Sequence, residues 1–251
     1  MKTRRFFSVF LLCALIVTLF ATPLSAAAET EAKTPPDPGI SSKAALLVDA
    51  NTGNVVYAKN EHEEMYPASL TKIMTALLVL EAVDNGQLSL TQQLTASHSA
   101  MTTGLDEDGS TAGILEGETM TVEQFLYCML VVSANEACNV LAEAVAGDVD
   151  TFVEKMNAKA QELGCENTHF VNPTGLHDPQ HYTSAWDLYL ITKEAMTHSD
   201  FMRFCDTGSV TIPATNLSEA RTLHTTNYLI DGWRSRGYIN KDAHGVKTGS
   251  T

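Results

Sequence analysis

Cysteine is scarce in this chain, five in 251 residues, and no two form a C-x-x-C pair. That excludes a disulfide scaffold and removes the usual spacing of a zinc site. Positive charge is scarce too: 16 Lys and Arg stand against 30 Asp and Glu, a formal charge of −14. A nucleic-acid surface needs clustered cations to meet phosphates, so nucleic acid is not an expected partner. No apolar run reaches the ~18 residues of a membrane-spanning helix, and no internal repeat is present. What the chain does have is a hydrophobic fraction of 44%, too high for intrinsic disorder. Its length allows one large domain or two small ones.

The first residues carry an address. Lys2, Arg4 and Arg5 precede a short apolar run, Phe6 to Phe20, and small residues follow at Ser25 to Ala28. This order predicts a secretory signal peptide over 1–28 and an extracytoplasmic protein, at the outer face of the membrane, in the periplasm or in the wall. The run is too short for an anchor helix, and Cys13 lacks the small residues that precede a lipidated cysteine. Once the signal is cleaved, nothing in this sequence encodes membrane attachment. Residues 29–41 are polar and hold Pro35, Pro36 and Pro38, which reads as a linker. A folded domain is expected over 42–251.

Within that domain, Lys43–Ala50 and Asn54–Lys59 read as strands about an Asn51-Thr52-Gly53 turn. Pro67-Ala68-Ser69 opens an apolar helix to about Val83. Thr121 and Gln124 have capping-box spacing ahead of a helix to about Val132. Further helices are expected over Asn135–Ala146, Asp150–Leu163 and Ser184–Thr197, and strands near Ser209–Pro213 and Gly245–Thr248. Strands at both ends with helices between give an α+β class. Cys128, Cys138, Cys165 and Cys205 are expected as small apolar side chains, with a disulfide the alternative.

Three short motifs could carry chemistry. In Ser69-Leu70-Thr71-Lys72 the hydroxyl and the amine sit three apart, on one face of a helix. A serine is a poor nucleophile until a base takes its proton, and a neutral lysine can do so if burial or a second cation lowers its pKa. Ser133-Ala134-Asn135 stands between two helices, where ordinary N-capping is the competing reading. Lys247-Thr248-Gly249 lies on an apparent strand near the end.

In combination the three resemble the constellation of penicillin-recognising serine enzymes. The likeness extends to Tyr66-Pro67-Ala68-Ser69-Leu70-Thr71-Lys72-Ile73-Met74-Thr75 and to Asn172-Pro173-Thr174-Gly175-Leu176 with His181-Tyr182-Thr183-Ser184-Ala185 and Asp187-Leu188. Over roughly Ser41 to Thr251 the chain resembles the D-alanyl-D-alanine carboxypeptidases, low-molecular-weight penicillin-binding proteins. The resemblance implies a β-lactamase/transpeptidase-like fold, an antiparallel sheet packed with helices plus a mostly helical subdomain. It also implies a substrate, the peptidoglycan stem peptide ending in D-Ala-D-Ala, and acylation by β-lactam antibiotics. In that family Ser69 would be the nucleophile, Lys72 its base and Ser133 a proton relay. Asn135, Lys247, Thr248 and Gly249 would hold substrate, and the backbone amides of Ser69 and Ser250 would form the oxyanion hole. No metal or organic cofactor is implied.

Two other readings share part of this pattern. A class A β-lactamase uses a glutamate in Glu-x-x-Leu-Asn, which no glutamate after Ser133 provides, and has aspartate where Ala134 stands. A non-catalytic penicillin sensor or wall-binding module would keep the motifs without turnover. A Ser-His-Asp hydrolase is not supported, because no G-x-S-x-G elbow surrounds a serine. His169, His177 and His181 lie in a proline-containing loop and read as loop structure, not as a metal site. The family's sheet has five strands, with the Lys-Thr-Gly strand third in sequence. On that comparison the last two strands and a final helix are expected to be missing, leaving the Lys247 strand without its ladder and the chain inactive alone.

Overall fold

Asp49 Oδ1 accepts from the amides of Asn51 and Thr52 (2.8 and 3.2 Å), and Gly53 takes φ +73°, which a glycine adopts without strain. The chain reverses there, and β1 (Ala45–Val48) pairs antiparallel with β2 (Val55–Lys59). The structure, a computed structural model, describes residues 38–233 and 236–250. The expected signal peptide, 1–28, and most of the expected linker, 29–41, lie outside the described residues. The described residues form one unit by their contacts.

The expected opening helix divides in two. Ala68–Thr71 is a 3-10 turn, and α1 runs from Lys72–Asp84. Every residue from Lys72 to Leu80 is buried, which suits a helix that is apolar on all sides. It packs against α4 (Asn135–Ala146), α5 (Val149–Glu162) and α6 (Ala185–Ala195). The capping box forms as its spacing suggests: Thr121 Oγ1 accepts from the Gln124 amide, and Gln124 Oε1 accepts from the Thr121 amide, opening α3 (Val122–Val131). Asp148 and Ser184 cap α5 and α6 by accepting from the amides of Thr151 and Asp187. Phe125, Phe152, Phe170, Phe201 and Phe204 are fully enclosed in the core these helices share.

The strand expected near Ser209–Pro213 forms as β5 (Ser209–Ile212), and short elements without a strong local signal complete the fold: β3 (Gln93–Thr95), α2 (His98–Thr102), β4 (Thr119–Thr121), α7 (Phe201–Cys205) and β6 (Arg221–His224). The α+β class holds. In place of one larger sheet, the described strands form three separate two-stranded antiparallel sheets, β1–β2, β3–β4 and β5–β6. The strand expected over Gly245–Thr248 is a second difference. It has no ladder partner among the described residues, and side chains take up its backbone groups instead. The Gly245 amide donates to Asp206 Oδ1 (2.6 Å), and Asn227 Nδ2 donates to the Gly245 carbonyl (2.8 Å). Cys128, Cys138, Cys165 and Cys205 are free thiols, all but Cys165 fully buried.

Candidate active site

Ser69 sits inside the 3-10 turn, directly after Ala68, whose φ of +49° is unusual for a residue with a Cβ. That strain has a visible restraint. The loop Asn172–Leu176 lies so close that a Cβ on Gly175 would fall 1.8 Å from the Ala68 carbonyl oxygen. The loop is held to α1 by Thr75, whose hydroxyl donates to the Pro173 carbonyl (2.7 Å). His181 holds it from below. The Val171 amide donates to Nδ1 (3.1 Å), so Nε2 carries the proton and donates to Thr71 Oγ1 (2.7 Å). Burial pushes the His181 pKa down to about 4, which keeps this ring neutral.

Lys72 stands one turn on and is wholly enclosed. Its ammonium donates to Ser69 Oγ (3.3 Å), Asn135 Oδ1 (2.8 Å) and the Thr174 carbonyl (2.6 Å). Removal from water lowers its pKa, and the charge of Glu136 partly opposes that. Glu136 is itself buried and accepts from Thr111 Oγ1 and the Ala112 amide, which fastens the 105–113 segment to the start of α4. The result is an amine prepared to exist neutral within reach of a hydroxyl.

Ser133 lies between α3 and α4 with φ +66°, and its buried hydroxyl has no hydrogen-bond partner among the described residues. A cleft of about 760 Å³ is lined by Ser69, Ser133, Thr248, Gly249 and Ser250 together with Tyr228 and Tyr238. A smaller one of about 290 Å³ adjoins it at Ser69, Asn135 and Ser250 and is walled by Asp106, Asp108 and Thr174. Gly249 fits against the turn that carries Ser69: a Cβ there would lie 3.1 Å from the Pro67 carbonyl oxygen. Thr248 Oγ1 meets Thr226 Oγ1 at 2.5 Å.

Lys247 is the exception among the expected residues. It does not line either cleft, and its ammonium donates to the carbonyl of Thr248 (2.9 Å). Burial, and after it the charge of Lys72, brings its pKa down to about 7. Lys72 is therefore the second cation that depresses Lys247. Sequence reasoning passed over Ser110, Thr174, Thr226 and Glu136. Thr174 contributes only a backbone carbonyl, which leaves no side-chain signature. Glu136 follows the Ser-x-Asn motif directly, and a carboxylate in the first turn of the helix was the available clue.

The sequence profile described as D-alanyl-D-alanine carboxypeptidase matches residues 29–251. The D-alanyl-D-alanine carboxypeptidase DacF of Bacillus subtilis is 37% identical over 96% of this chain and 58% of its own length. DacA of Haemophilus influenzae is 38% identical over 70% of this chain and 44% of its length, so the chain spans about half the length of these curated relatives. The Streptomyces K15 DD-transpeptidase superposes with TM-score 0.75 at 29% identity, over 85% of this chain and 82% of the other. Penicillin binding protein 6B of Escherichia coli gives 0.77 at 30%, over 88% and 66%. The chain belongs to the D-alanyl-D-alanine carboxypeptidase family.

Proposed function

We propose that the protein is a serine-type D-alanyl-D-alanine carboxypeptidase that removes the terminal D-alanine of peptidoglycan stem peptides through an acyl-enzyme on Ser69. The observation that carries this reading is the contact of a buried, pKa-depressed Lys72 with Ser69 Oγ at 3.3 Å. Neutral Lys72 takes the hydroxyl proton as Ser69 attacks the carbonyl between the last two residues. The backbone amides of Ser69 and Ser250 donate to the oxygen on which charge develops. Ser133, its hydroxyl uncommitted and facing the same cleft, relays a proton to the departing amine. Asn135 holds the substrate amide, and Thr248 on the cleft receives the terminal carboxylate together with Lys247, whose ammonium turns to it from the Thr248 carbonyl, an ionic contact that suits a carboxypeptidase. Gly249 lets the peptide backbone lie close. Water then releases the acyl group, with no metal or cofactor in the scheme.

The basic start and short apolar run of residues 1–28 support an extracytoplasmic location, where this substrate is found. β-Lactams present a strained amide beside a carboxylate and would acylate the same serine. The test is intact-mass spectrometry and peptide mapping after penicillin treatment of the protein expressed from its gene. One adduct, on Ser69, is expected, with release of D-alanine from a D-Ala-D-Ala peptide. An adduct on Ser133, or none on folded protein, would overturn the assignment. Labelling without D-alanine release would favour the sensor reading.

A further inference from the structure

On the far end of α1 from Ser69, a second set of groups converges. Glu81, Glu194 and His198 each bring one donor atom to within 4.8 Å of the others, the one such group of His, Cys, Asp and Glu among the described residues. We propose that these three side chains form a zinc-type divalent-cation site that clamps the end of α1 to the end of α6.

The histidine carries the argument. Its side chain is only 11% exposed, and its Nδ1 lies 2.5 Å from Asp84 Oδ2. An ionised carboxylate can only accept, so Nδ1 bears the proton and Nε2 is left with a lone pair. Nε2 is shut away from water and has no hydrogen-bond partner. A buried, unsatisfied ring nitrogen is costly unless something meets it. A carboxylate fixing the ring of a ligand histidine is the arrangement found around bound zinc, where it sets the tautomer and raises ligand basicity.

The surrounding chemistry agrees. Glu81 and Asp84 share one face of α1, while Glu194 and His198 come from the last turn of α6 and the turn beyond it. Two carboxylates and a neutral imidazole suit Zn²⁺, whereas Ca²⁺ and Mg²⁺ prefer oxygen alone. Lys159 from α5 now bridges Glu81 and Glu162, at 2.8 Å to each. When Glu81 turns to a cation, Lys159 keeps Glu162 and is not stranded. Three protein donors leave a fourth position for water, so the ion would join two core helices, one of which begins at Lys72.

The test is calorimetric titration of the metal-free protein with ZnCl2 and, separately, CaCl2. One equivalent of Zn²⁺ is expected, with a Tm that rises with Zn²⁺ concentration. His198→Gln should weaken binding at least ~100-fold, and Asp84→Asn, which leaves all three donors in place, roughly 10–100-fold. Melting curves without metal establish that each variant folds. If His198→Gln does not fold, Asp84→Asn and Glu194→Gln decide. The proposal is overturned if no stoichiometric Zn²⁺ binds, if Ca²⁺ binds as tightly, or if folded variants bind like the parent.

Discussion

Lys72 and Lys247 show how one residue type is turned to two tasks by its surroundings. Lys72 has three acceptors and no solvent exposure, so its charge is tolerated but not favoured. Lys72→Ala is expected to slow acylation of Ser69 by on the order of 10²–10⁴, measured by stopped-flow with a chromogenic β-lactam. Lys72→Arg should not rescue it, because a guanidinium does not give up its proton. Lys247, with a pKa near 7, should lose its charge as pH rises through neutrality. Carboxylate capture then weakens, so kcat/KM should fall on that alkaline limb. In Lys247→Arg the limb should move to higher pH even where the absolute rate is lower, and a pH profile of both proteins checks this. The sign for stability is opposite. The unfolded chain holds this proton up to its ordinary value of 10.5, so the lysine's burial costs most below about pH 7. That cost diminishes as pH rises from about 7 towards 10.5.

Among the elements, the turn that carries Ser69 depends on a loop far away in sequence. Gly175 has φ +85° and no space for a Cβ against the Ala68 carbonyl. Gly175→Ala is therefore expected to cost more than ~1 kcal/mol and to reduce acylation together with Tm, since the displaced loop also carries the Thr174 carbonyl. Parallel thermal melts and β-lactam labelling would reveal it; a variant that loses neither would contradict the account. Helices, by contrast, were largely legible in the sequence. The Thr121–Gln124 box and the periodic apolar residues of α3, α4, α5 and α6 act within a few residues of one another. The three-residue strands β3 and β4 were not, because each is stabilised by the other and neither has a pattern of its own.

At the scale of the whole molecule, one buried ion pair joins two of the small sheets. Glu118, fully enclosed beside β4, accepts from Arg221 at the start of β6, and also from the Leu115 amide and Thr215 Oγ1. Removing the cation alone leaves an uncompensated buried carboxylate. Arg221→Ala is expected to destabilise by about 3–5 kcal/mol, read from denaturant unfolding, with Glu118→Gln/Arg221→Ala less harmful than the single change. The sequence by itself determined the α+β class, the positions of the longer helices and the family, because those rest on local capping, apolar periodicity and short motifs. It also determined that Ser69 and Lys72 would face one another, three apart at a helix start. Tertiary structure alone decided that Lys72 is surrounded by Asn135 and Thr174 and that it lies close enough to Lys247 to lower the pKa of Lys247. It also decided that Gly245–Thr248 runs without a ladder among the described residues. Burial, electrostatic coupling and strand pairing each need a second segment brought near, and no single stretch of sequence states which segment that will be.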